Sequence, residues 1–465
     1  GAGSTASDEH PWRRNNDREK RHTRLTEYTP LAGVRPSAFD PAMTLRILPL
    51  ILACLVAGCG TDDSADPVPQ EPIDTTICGV IDGLCLEQPV QEAVVAGEAR
   101  VGAPTIVVPS GTMPPEVTSL GAHNNLDIGW HDGRLWFAFR TAPSHFADPG
   151  VVMYVVSTTD LLDWRFEGKW ALGTDVREPQ FLSLDGKLLF YFAMLGTNPL
   201  AFEPQGARVV EYLGPGQWTD PAPVFPEDFI PWRIRNVDGR AEVLGYTGGG
   251  NIYELDDPQP IKIRWLASDD GRTWEPKYAS HPVILEGGGS ETDAAVLDDG
   301  RVIAVVRNEA GDDTGFGSKV CRGEADAPAD WTCVADPRKY DSPLVFQQSG
   351  TVYLLGRRNV TDTGNYDLQR EDLSVSEKFL AYQGDYWENP KRCALWTVDP
   401  DALKITHVLD LPSAGDTCFP EAIPLSGGNW LVFNYSSPWD EADDPTWLQG
   451  QWAPTSIYRL ILSLP

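Results

Sequence analysis

The sequence predicts an all-β chain folded as a six-bladed β-propeller, and three observations carry that prediction. A short hairpin signature recurs six times, successive copies lie about 50 to 80 residues apart, and the segments flanking each turn are near-continuous apolar runs. One four-stranded blade per repeat accounts for the spacing. Strands covered on both faces account for the apolar runs, because a half-solvated strand would alternate with polar residues instead.

The six hairpins follow one another at 131–140, 184–193, 237–246, 298–307, 348–357 and 426–435. Asp-Gly occupies the turn of the first four, Ser349-Gly350 the fifth and Gly427-Gly428 the sixth. Glycine accepts the positive φ that a tight hairpin turn demands, so Asp-Gly between apolar runs is a strong hairpin signal. A propeller also fits the composition, in which 16 Trp are set among 43 Gly and 39 Pro. The length of 465 residues does not fix the domain count, since propellers exceed the usual domain size as single units. A formal net charge of −30 argues against nucleic acid or an anionic membrane surface as partner, both of which require clustered Lys and Arg.

Register then assigns residues to one opening. With each turn at the bottom of its blade, the positions nine before and seven after the turn glycine meet at the top. The first set is Asn124, Arg177, Ile230, Glu291, Asp341 and Phe419, and the second is Arg140, Ala193, Tyr246, Arg307, Arg357 and Tyr435. Most of these are polar or charged at the ends of otherwise apolar strands, so the reading expects a polar, sugar-sized site at that mouth.

Ahead of the repeats, residues 43–58 read as an export signal. Met43 to Arg46 gives a short basic start, Ile47 to Val56 an apolar stretch, and Val56-Ala57-Gly58-Cys59 places small residues before a cysteine. The apolar run is too short for a spanning helix, which needs roughly 20 residues. The pattern resembles a bacterial lipobox, which implies cleavage before Cys59, lipidation of its sulfur, and a place at the cell envelope, periplasmic or at the surface, with membrane contact only through the lipid. Residues 1–42 are expected to be an upstream extension outside the mature protein, 59–96 a tether with a small Cys78/Cys85 loop, and 97–465 the propeller. The six remaining cysteines suit an oxidising compartment, with neighbouring pairs Cys78 with Cys85, Cys321 with Cys333, and Cys393 with Cys418. No metal site is expected, because neither a CxxC pair nor a His cluster accompanies them.

At this point the residues resemble a known superfamily, the sialidases and their BNR-repeat relatives. Ala267 to Trp274 looks like an Asp box, a structural turn between outer strands, with Ala in the Ser position, and Ser157 to Trp164 is a weaker copy. Ser290 to Arg307 is similar in composition and spacing to the sialidase segment that holds the acidic Glu and one arginine of the substrate-carboxylate clamp. The resemblance implies those roles for Glu291 and Arg307, and a further clamp arginine at Arg357 or Arg358. His123-Asn124-Asn125, His145, Arg177-Glu178-Pro179, the 412–420 stretch and Asn434 to Ser437 look more like a divergent, sialidase-like branch. Two departures matter. His123-Asn124-Asn125 stands where an Arg-Ile-Pro motif is usual, and Phe419 falls at or beside the position of the nucleophilic Tyr, which Tyr435, Tyr246 or Tyr340 would have to replace.

The expected function is an exported glycoside hydrolase acting on an acidic sugar, sialic or uronic, as a monomer and without a cofactor other than a structural Ca²⁺ that the sequence cannot reveal. Glu291 and Asp341, with Asp148 or His145, would supply general acid and base. Arg140, Arg177, Arg307 and Arg357 would grip the sugar carboxylate through charge-assisted bonds, with Arg358, His123, Asn124 and Tyr246 beside them. A polysaccharide lyase using His123, His145 and Tyr435 is the alternative, and a glycan-binding surface lipoprotein holding sugar on Trp439, Trp447 and Trp452 is a third reading.

Overall fold

The computed structural model describes residues 76–81, 84–93 and 99–465, apart from 200, 227, 256–258 and 442, and describes no side chains in 76–80 or 84–93. Cys59, the signal segment and the upstream extension therefore lie outside the described residues, as do the side chains of Cys78 and Cys85.

Six antiparallel sheets follow one another along the chain. Blade 1 contains Ala122–His131, Arg134–Ala142, Val152–Thr158 and Arg165–Trp170. Blades 2 to 5 open on the inner strands Val176–Leu184, Ile230–Val237, Gly289–Val296 and Asp341–Gln348, each followed by its hairpin partner and outer strands. Blade 6 combines Glu421–Pro424, Asn429–Ser436 and Ser456–Ser463 with two strands from the other end of the chain, Arg100–Gly102 and Thr105–Val108. The ring is thus closed by pairing early strands with the last one. Beyond Arg100–Gly102 the same sheet continues into a hairpin of Thr76–Ile81 and Leu84–Ala93. Sheet structure consequently begins within the 59–96 span expected to be a tether.

Alternation along each second strand explains the unbroken apolar runs. In Arg134–Ala142, Phe137 and Phe139 enter the core shared with blade 6, whereas Trp136 and Ala138 enter the core shared with blade 2. In Val302–Asn308, Ala304 and Val306 face blade 3, and Ile303 and Val305 face blade 5. A strand side chain reverses direction at every residue, so a strand sandwiched between two blades needs apolar residues at every position. Side chains on the inner strands also tie blades together, as when Asp293 accepts from Val345 N at 2.6 Å and Gln180 from Ile234 N at 3.0 Å.

The hairpin turns divide into two kinds. Asp132-Gly133, Asp185-Gly186, Asp238-Gly239 and Ser349-Gly350 all have positive φ at both residues, the two-residue hairpin geometry expected from the sequence. In blade 4 Val296 pairs with Val302, and in blade 6 Pro424 pairs with Trp430, so these two turns hold five residues each.

Outer turns are closed by carboxylates. Asp270 accepts from the backbone N of Arg272 and of Thr273 at 2.7 Å, and its carboxyl is held down at about 2 chiefly by those bonds. Asp160 caps the corresponding blade 1 turn through Leu162 N and Asp163 N at 2.9 Å. In both segments the capping carboxylate stands one position later than an Asp-box alignment starting at Ala267 or Ser157 assigns. Two disulfides, Cys321–Cys333 within blade 4 and Cys393–Cys418 between blade 5 and the segment entering blade 6, agree with the expected pairs.

Candidate functional site

The predicted register holds in the blades. Asn124 lies opposite Arg140, Arg177 opposite Ala193, Ile230 opposite Tyr246 and Asp341 opposite Arg357. Glu291 meets Arg307 through a 2.6 Å ion pair, and the Cys418 N–H donates to the Tyr435 carbonyl at 3.5 Å beside Phe419. What the sequence does not reveal is an irregularity at this level in nearly every blade. Pairing slips at Asn124/Leu126, Pro231/Arg233, Gly289/Thr292 and Asp341/Leu344, and Asn125, Glu178, Ser342 and Cys418 have positive φ. Such bulges insert an extra residue and re-aim the side chains around it. Here they turn carboxylates and arginines toward the opening.

The charged groups form two networks. Arg140 donates from Nε to Asp175 at 2.8 Å and from Nη1 to Asn124 at 3.0 Å, and Asp175 binds Arg177 Nε at 2.6 Å. Arg177 donates to the His145 carbonyl at 2.6 Å, and His145 Nδ1 lies 2.7 Å from Asp416, whose other oxygen accepts from the Tyr435 hydroxyl at 2.9 Å. Across the mouth, Asp341 pairs with Arg307 at 2.9 Å and Arg357 at 3.1 Å and accepts from the Tyr386 hydroxyl. Arg307 also pairs with Glu291 and Glu309, Lys339 lies 3.2 Å from Glu309, and Glu291 Oε2 accepts from Ser342 N at 2.7 Å.

Electrostatics separates these groups by role. Burial is the largest influence on Asp341 and would raise it, yet Lys339, Arg307 and Arg357 outweigh burial and hold the carboxyl well below its usual range. Asp341 is therefore a fixed anion that braces two arginines, and of the two tasks expected of it, acid or base, its environment leaves it unsuited to donating a proton. Glu178 has the opposite environment. Burial, reinforced by the negative charge of Glu291, pushes it up to about 8, and its Oε2 has no hydrogen-bond partner among the described residues. Burial lowers His145 despite Asp416. A neutral ring donating from Nδ1 to Asp416 leaves Nε2 as an acceptor, 3.4 Å from Arg177 Nη1.

Several expected site residues serve elsewhere. Arg140 is fully enclosed, donating also to the carbonyls of Ser144 and Phe146, so it holds the blade 1 loop and cannot grip a ligand. Arg358 points to the opposite face and is bound by both oxygens of Asp410. Asp148 caps Gly150 N at 2.7 Å within its own turn. His123 is buried, lowered to about 4 by desolvation, with Nδ1 unpartnered among the described residues. Tyr340 donates to Asp336 and packs on Trp396, so it does not supply the missing hydroxyl, and Tyr435 spends its own on Asp416. Tyr246 is buried, and desolvation, followed by the charges of Glu291 and Glu178, raises its hydroxyl well above the ordinary value. Phe419 is packed against Trp232.

Other contributors were given no place at this mouth from the sequence, although Glu178 and Trp447 were named in it for other reasons. Glu178 follows Arg177 and precedes Pro179, and a charged pair before proline inside an apolar strand is the signal that marks it. Tyr253, about half exposed at the end of a 3-10 turn, feels Arg307, Asp341, Glu291 and Arg177. Two inserted helices also border the site: α1, Val375–Glu388, brings Tyr386 to Asp341, and α2, Trp447–Trp452, sets Trp447 against Arg357 with 5.4 Å between guanidinium and ring centre. Neither insertion has a periodic signal tying it to the repeat.

A six-bladed propeller whose inner strands end in a ring of paired acids and bases around one opening is the class that fold and site define. No protein-family model matches the chain, and no curated protein is significantly similar to it. Among solved structures, a protein of unknown function from Dyadobacter fermentans is similar with a TM-score of 0.54 and 15% identity, over 80% of this chain and 100% of that one. A Trypanosoma rangeli sialidase in complex with sialic acid gives 0.47 and 12%, over 83% of this chain and 57% of that one. A Bombyx mori GH32 beta-fructofuranosidase in complex with sucrose gives 0.35 and 12%, over 76% and 61%. The chain thus spans little more than half of the sialidase it matches. At such identities the likeness concerns the fold, and no residue role is transferred.

Proposed function

We propose that this protein is a glycoside hydrolase acting on an acidic sugar, sialic or uronic, in glycans. One observation carries the reading: two carboxyl groups at one mouth, Glu178 and Glu291, sit in opposite environments. Glu178, raised to about 8, keeps its proton at neutral pH, whereas Glu291 is bound as an acceptor by Arg307 and Ser342 N. A buried carboxyl that keeps its proton can serve as general acid beside a second carboxyl placed to accept one. Glu178 donates its proton to the glycosidic oxygen as the bond to the anomeric carbon breaks. Water adds to that carbon and passes its proton to Glu291. The partly exposed edges of Arg177 and Arg307 bind the sugar carboxylate. In this scheme Arg140 and Arg357 hold the frame.

The lyase reading has one observation in its favour, the His145–Asp416 pair, because an orienting carboxylate prepares Nε2 to remove a proton. Incubating the full chain with sialosides and uronate polysaccharides separates the readings. Hydrolysis releases reducing ends without absorbance near 235 nm, a lyase generates that absorbance, and binding with neither product supports a glycan-binding protein. Loss of at least a hundredfold in kcat for Glu178→Gln is the expected result, and unchanged turnover removes Glu178 from the mechanism. We also place the protein at the bacterial cell envelope, lipid-anchored through Cys59 and monomeric. The 43–59 pattern and the disulfides support that placement, and metabolic labelling with an alkyne fatty acid, abolished by Cys59→Ser, tests the anchor.

A further inference from the structure

Bordering the charged mouth is a row of aromatic side chains that the proposed reaction does not use. Trp452 is 67% exposed, the largest exposure among the large apolar side chains described. Its ring lies tilted at 41° to that of Phe146, with 4.6 Å between ring centres. At the other end of α2, Trp447 lies 6.3 Å from His145, 5.7 Å from Tyr386 and 6.0 Å from Trp387, itself 36% exposed. The row therefore starts on residues of the charged networks and leads outward into solvent.

Anchoring α2 does not explain Trp452. The helix is fixed by a capping box between Thr446 and Gln449, by His145 N donating to the Gln451 carbonyl at 3.1 Å, and by Gly450, packed so closely on the Gly415–Asp416 backbone that a Cβ would lie 2.1 Å from Asp416 N. The facing loop is equally rigid, because buried Arg140 holds the carbonyls of Ser144 and Phe146. A large ring presented to water on two immobilised segments is a preorganised surface, and binding to such a surface loses little conformational freedom.

We propose that this rim is a glycan subsite in which Trp452 stacks on the apolar face of a sugar unit beyond the one held at the mouth, so that the ligand is an oligosaccharide rather than a single sugar. The inference rests on the proposed action on glycans for the chemistry of its occupant. Sugar rings match the surface because their C–H faces pack on an aromatic ring while their hydroxyls stay in water. Continuity with Arg177, His145 and Arg357 sets the direction in which the chain would run.

Intrinsic tryptophan fluorescence, titrated with a length series of uronate and sialyl oligosaccharides, tests the subsite without requiring turnover. The expected result is affinity that rises from monosaccharide to trisaccharide, with Trp452→Ala weakening the longer ligands about tenfold and leaving the monosaccharide unchanged. Trp452→Tyr, which keeps a stacking ring, should restore most of the loss. Affinity independent of length, or equal weakening of all lengths by Trp452→Ala, overturns the proposal. Length-dependent binding without cleavage of any substrate leaves the rim standing and removes the hydrolase reading.

Discussion

In the proposed reaction the proton donor is Glu178, and its environment has consequences for both activity and stability. Its folded pKa, about 8, lies above the ordinary value of 4.5, so the folded state retains a proton that the unfolded chain loses as pH rises from 4.5 to 8. Stability therefore falls with pH across that window, and the alkaline limb of kcat/KM should fall near pH 8 as the donor ionises. Replacing Glu178 by Gln should abolish that limb together with the activity. It should also raise Tm at pH 8 by roughly 2–4 °C, while leaving Tm at pH 4 almost unchanged, and calorimetry at the two values checks both. Glu291, Arg307 and Arg357 were legible from hairpin register, because the register of a strand is fixed by its turn. Glu178 was not, because a bulge with a φ of 51° moves it off the regular alternation that register arguments assume.

At the scale of elements, the charged mouth is finished by structure outside the repeat. The 437–455 insertion holds α2 against the loop carrying Asp416, and the contact depends on the missing side chain at Gly450. Gly450→Ala should displace the helix, cost about 1–3 kcal/mol as overpacking does, and weaken the His145–Asp416 pair, whose loop partner it pushes. Urea unfolding monitored by Trp fluorescence measures the first effect. Loss of ligand-induced fluorescence change measures the second. Strand content, blade order and the capped outer turns could be read beforehand, since period-two patterning and turn residues act locally. Trp447 and Trp452 could be read beforehand as a sugar-holding surface, but neither helix could be placed at the mouth, because what places them is contact with Asp341 and Asp416, outside either insertion.

On the scale of the whole molecule, the blades are joined mainly by their neighbours' side chains, and among the described residues one covalent link crosses between two of them. Cys393–Cys418 closes a loop of 25 residues joining blade 5 to the segment that enters blade 6. Cys393→Ser with Cys418→Ser should lower stability by about 2–4 kcal/mol, read as an earlier urea midpoint with a slope no shallower than before, because the uncrosslinked denatured chain exposes more surface. The acidic surface, at −30 overall, surrounds an opening lined with paired arginines.

Closure of the ring also sets a schedule. Thr105 pairs with Arg459, so an early strand waits for a partner more than 350 positions later. At ordinary ribosomal speeds that interval lasts roughly 20–70 s. Until it ends, the last sheet is open and the edges of the first and last blades are bare. Such a nascent chain cannot complete its fold piecemeal from the N-terminus, because its ring closes only once the final strand exists.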